Sequence, residues 1–103
     1  MNITVLIKEG STARLVDGIR LALGLTINHK ISLLITEEGA GSISDALADG
    51  AFKKQFLESI GLITSMSGIV RTERAIAGVG PIELLSRDDL AKLVLGSDSI
   101  IVF

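Results

Sequence analysis

Two charge-free, β-branched runs constrain this chain more than any other feature. They are residues 3–7 (ITVLI) and residues 31–36 (ISLLIT). A strand with one wet face alternates apolar and polar residues, whereas a continuous apolar run belongs to a strand buried on both faces. A third run, residues 99–103 (SIIVF), reads the same way. Between them lie segments of helical period. Ser11 or Thr12 can cap a helix in which Leu15, Val16, Ile19, Ala22, Leu23 and Ile27 recur on one side, opposite Arg14, Asp17 and Arg20. Ser86 opens a last helix, with Asp88 and Asp89 in its first turn, Leu90, Leu93 and Val94 inward, and Gly96 at its end. Buried strands alternating with helices predict a three-layer α/β/α domain over residues 1–103, with a five-stranded parallel sheet, flavodoxin-like in class. Right-handed crossovers then place any site at the carboxyl ends of the strands.

The middle of the chain is less regular. Residues 37–42 (EEGAGS) read as a loop, followed by a short helix over 43–47. Residues 50–60 form an amphipathic helix with Phe52, Phe56, Leu57 and Ile60 inward and Gly61 closing it. Residues 62–66 then read as the third strand and 69–76 as a short helix exposing Arg71, Glu73 and Arg74. Gly78, Gly80 and Pro81 leave room for only a short fourth strand before residue 85. On this reading residues 8–12, 36–42, 65–71 and 80–84 meet at the carboxyl ends.

Composition excludes several kinds of chemistry. The 103 residues contain no Cys, which removes disulfides, thiolate metal sites, thiol nucleophiles and any persulfide on the protein's own sulfur. One His excludes a multi-histidine metal site, and no cofactor is expected. The net charge is −2, and neither half of the chain is basic. With only three aromatic residues besides, a broad nucleic-acid surface is not expected. No run reaches the roughly 18 apolar residues of a membrane span. The first residues carry no basic region ahead of their apolar run, so a cytoplasmic location is expected.

The candidate site residues are few. Lys8, Gly10, Ser11 and Thr12 form a turn into a helix, where free amides and a lysine suit an anion, although an ordinary capped turn looks the same. Glu37 and Glu38 stand at a strand end, placed to pair with Arg71 or Arg74 or to meet a partner. Ser65 and Ser67 flank Met66, a residue suited to core filling, at the end of the predicted third strand. A serine nucleophile needs a base. The one imidazole, His29, precedes the second strand, at the opposite end of the sheet on this reading. Phe52 and Phe56 lie one helical turn apart and suit either the core or a subunit interface. Gly39-Ala40-Gly41 lacks the position and third glycine of a dinucleotide fingerprint.

Taken together, the turn after the first strand (LIKEG), the helix RLVDGIRLALGL, the strand and acidic loop LLITEEGAG, and the tail DDLAKLVLGSDSIIVF resemble the DsrE/DsrF/DsrH family of sulfur-relay proteins. That family includes the Tus subunits of tRNA thiolation. The resemblance spans nearly the whole chain. It implies a five-stranded α/β/α domain that assembles as a dimer, trimer or hexamer, with itself or with Cys-containing paralogues. It also implies a persulfide-carrying cysteine just after the third strand. On the strand assignment above that position falls at Ser65, Met66 or Ser67, none of which is a thiol. The expected function is therefore a non-catalytic structural or partner subunit of a sulfur-relay assembly. The alternative is a small anion- or nucleotide-binding module using Lys8, Gly10 to Thr12 and Arg71. A cysteine-free enzyme ranks last, because no paired acid and base is visible.

Overall fold

The computed structural model describes residues 1–80 and 82–103; the reading of Pro81 as a strand-shortening residue falls outside them. In chain order the elements are β1 (Asn2–Ile7), α1 (Thr12–Leu25), β2 (Lys30–Ile35), α2 (Glu37–Ala46), α3 (Gly50–Ser65), β3 (Ile69–Thr72), β4 (Glu83–Leu84), α4 (Arg87–Leu95) and β5 (Ser99–Val102). The strands form one sheet in the order β4-β3-β2-β1-β5, with every pairing parallel. The α/β class and the five parallel strands are as expected.

Alternation along β1 and β2 splits the apolar runs between two layers. Ile3, Val5 and Ile7 of β1 and Ile31, Leu33 and Ile35 of β2 face α1, α2 and α3 in the main core, with Leu15, Ile19, Ile43, Phe56 and Ile63. Leu34 faces the other way, into a smaller cluster with Leu85 and Leu90 and with Leu6, Leu93 and Val94 packed against it. So α4 alone supplies the second helical layer. Phe52 and Phe56 are buried and stacked, with ring centroids 5.9 Å apart, which places both in the core.

Three sequence expectations fail here. Residues 37–42 are not a loop but the start of α2. Thr36 caps that helix through its hydroxyl, which accepts from the Gly39 N–H, and Glu37 and Glu38 complement the dipole of the first turn. Residues 62–66 are not a strand. The inward positions Phe52, Phe56, Ser59 and Ile63 continue one helical stripe through Gly61, so α3 runs on to Ser65. The third strand is the segment read as a helix, Ile69–Thr72. It is short and only partly covered, so its sequence carries an arginine instead of a continuous apolar run.

The turn from α3 into β3 explains where the helix stops. The Gly68 N–H donates to the Ile63 carbonyl (2.9 Å) and the Ser67 N–H to that of Thr64 (3.1 Å). This double closure is a Schellman motif, and it holds Ser67 at φ +66°. Left-handed backbone costs a residue with a Cβ about 1–2 kcal/mol, partly offset in a glycine variant by a freer unfolded chain. Ser67→Gly should therefore stabilise the fold by about 1 kcal/mol in urea unfolding.

Candidate functional site

The carboxyl ends of the strands gather a group of charged residues. Lys8 and Glu9 follow β1, Thr36 follows β2, Glu38 lies in the first turn of α2, and Arg87 opens α4; together they line a pocket of about 330 Å³. Of the sequence candidates, Lys8 and Glu38 are brought together here. Gly10 and Ser11 lie beyond the mouth: the Gly10 N–H donates to the Ser42 hydroxyl (3.3 Å), and the Ser11 hydroxyl accepts from the Arg14 N–H (3.3 Å). Ser11 is therefore the cap of α1, and Thr12 is the exposed first residue of that helix.

Three candidates are elsewhere. Ser65 ends α3 and Ser67 precedes β3, so both lie at the amino ends of the strands, away from the crevice. The Ser65 hydroxyl donates to the Leu62 carbonyl (2.9 Å). Met66 is exposed instead of filling the core, and its sulfur meets the Thr26 hydroxyl at 3.7 Å. His29 precedes β2 and so shares that end of the sheet; the opposite-end argument against a serine–histidine arrangement does not hold. Arg71 sits within β3, on the face covered by α4, with its Nε 3.3 Å from Glu83 of β4. It lines a separate pocket of about 270 Å³ with Ile60, Thr64 and Ile69. Of the expected segment 80–84, Glu83 and Leu84 form β4 itself, and neither lines the charged pocket.

The residue missed by sequence reasoning is Glu73. Expected to be exposed, its side chain is 7% accessible and bridges three elements. One carboxylate oxygen accepts from the Glu37 N–H at the start of α2 (3.0 Å), and the other pairs with Arg87 Nε at the start of α4 (2.7 Å). Arg87, not Arg71 or Arg74, thus answers the acidic side of the crevice. No local pattern announces Glu73, since its role depends on β3 ending at Thr72.

The amides that would serve an anion at the α2 terminus are already engaged. Glu73 takes the Glu37 N–H, and Thr36 takes those of Gly39 and, through its carbonyl, Ala40. The Glu38 carboxyl is held below the usual glutamate range, first by its own backbone N–H, then by Thr36 and the charges of Arg87 and Lys8. A lowered folded value means that ionised Glu38 supports the fold above the ordinary range near ~4.3, and that this support goes as pH falls through the lowered value. Glu38→Gln should be less stable than the native chain at pH 7, with the difference closing as the pH is taken down through and below the ordinary glutamate range in thermal unfolding.

The fold is a three-layer α/β/α domain with an all-parallel five-stranded sheet, and its strand-end crevice is lined by its own ion pair and caps. The crystal structure of the ychN protein from E. coli matches this chain over 100% of both chains, with a TM-score of 0.68 and 16% sequence identity. That likeness is one of fold. No family model matches the chain, and no curated protein matches it in sequence.

The structure also moves the position at which the sequence resemblance implies a cysteine. The residues just after the third strand are Glu73 onward, not Ser65 to Ser67. The first of them holds a carboxylate committed to Arg87 and α2, and the chain has no thiol at any position.

Proposed function

We propose that this protein is a non-catalytic structural or partner subunit of a DsrE-like, sulfur-relay-type assembly. The observation that carries the reading is the thin second layer of the sheet. Helix α4 covers Leu34 and Leu6, yet Ile100 and Val102 of β5 remain 43% and 49% exposed and Leu95 of α4 remains 86% exposed. Exposed apolar residues of this size on so small a domain fit a surface that another subunit covers. The chemistry agrees. A hydroxyl or carboxylate cannot take up sulfane sulfur as a thiolate does, so the chain serves by shape and contact.

An anion-binding reading finds Lys8 and Arg87 on one pocket, but Glu9 and Glu38 line it too. The engaged amides of α2 leave such a ligand little to bind. The subunit reading is tested by purifying the tagged chain from its native host. Recovery with a second copy or with a Cys-containing DsrE-like chain is expected. Recovery only as a free monomer would overturn it.

A further inference from the structure

The strand β5 lies at one edge of the sheet, beside β1 only. The Phe103 N–H donates to Leu6 and the Phe103 carbonyl accepts from Lys8, both at 2.8 Å. In a parallel pair both backbone groups of a residue point to the same side, and successive residues alternate. Ile100 and Val102 therefore direct their N–H and C=O groups away from β1, along an open edge. Their side chains share a face with Thr4 and Leu6, their register partners. Charge and proline are the usual means of blunting such an edge, and the segment SIIV has neither.

From this arrangement we propose that a second copy of the chain pairs with β5 in antiparallel fashion, joining two sheets across a two-fold axis. The axis passes through Ile101, so that Ile100 of each copy lies opposite Val102 of the other. In that register the outward backbone groups of both residues meet outward groups of the partner, and the half-exposed apolar side chains cover one another.

Charge complementarity selects a copy of this chain as the occupant. The amino end of β5 follows Asp98, whereas its carboxyl end borders a pocket of about 360 Å³ lined by Lys8, Glu9, Arg14, Val102 and Phe103. Antiparallel pairing brings the Asp98 of each copy toward the other's pocket, where two cations outnumber the one carboxylate of Glu9. An isologous contact of this kind satisfies both ends at once.

The inference rests on the assembly reading above, and amide exchange on the full chain separates the two. The Ile100 and Val102 amides should become protected as concentration rises through the association range. Ile100→Lys should raise the dissociation constant at least about tenfold, as loss of a central interface side chain does. Asp98→Lys should weaken association as well, and Arg14→Glu in the same chain should restore it. Assembly with both amides freely exchanging would overturn the β5 pairing and leave the subunit reading standing. Protection that appears only with a different DsrE-like chain would also overturn it. A chain that stays monomeric, alone and with such partners, would remove both.

Discussion

Replacing Gly39 with alanine is expected to destabilise the fold by about 3 kcal/mol, the upper end of the usual cost of overpacking. Gly39 lies in the first turn of α2, where the helix start packs on the end of β1. A Cβ there would run into the Ile7 carbonyl oxygen and come within 3.0 Å of the Lys8 carbonyl oxygen. Both obstacles are backbone, so neither can swing aside. The Thr36 hydroxyl sits between the same groups, 3.2 and 3.0 Å from those two carbonyl oxygens, while accepting from the Gly39 N–H. Pushing α2 outward therefore breaks the cap as well as the packing. For a domain of this size the melting temperature should fall by roughly 15 °C. Gly41→Ala is the control. Its Cβ would meet only an Arg74 nitrogen at 4.0 Å, so alanine should raise stability through helix propensity. Equal losses at both positions would contradict the close approach of α2 to β1.

Phe56→Ala is expected to cost about 3–5 kcal/mol, the range for removing a fully buried aromatic side chain. Phe56 is buried between α3 and the sheet, against Phe52, and the chain has only one other aromatic residue. A small domain often has no more than about 5–15 kcal/mol in total, so this variant should be close to unfolding. Phe56→Leu, which keeps most of the volume, should lose much less. An interface role for the phenylalanines predicts another pattern: a change in assembled mass with the stability of the monomer preserved. Urea unfolding of both variants decides between the two.

The parts legible in the sequence were those whose local signal and tertiary setting agree. The runs at Ile3 and Ile31 are largely buried in the fold, that at Ile100 is partly covered, and all three read as strands. Ser11 and Ser86 both cap the helices they precede. The misread parts were those where tertiary contact overrides propensity. Two glycines and two glutamates after Thr36 resemble a loop until the nearness of β1 makes Gly39 a requirement and the cap makes Glu37 and Glu38 favourable. Gly61 resembles a helix stop, yet it sits exposed on α3 while the inward stripe continues to Ile63. The error over β3 displaced the candidate site, carrying Ser65 and Ser67 to the wrong end of the sheet and hiding Glu73. The missing cysteine needed no such register. It was legible from composition, and the structure shows which carboxylate occupies the ground after the third strand.

Native mass measurement of the purified chain over a range of concentrations tests the central claim most directly. A subunit that works by assembly should appear as a defined multimer of the 10.8 kDa chain, or should enter one when a Cys-containing DsrE-like chain is added. A 10.8 kDa species that persists at every concentration, with and without that second chain, would contradict the account.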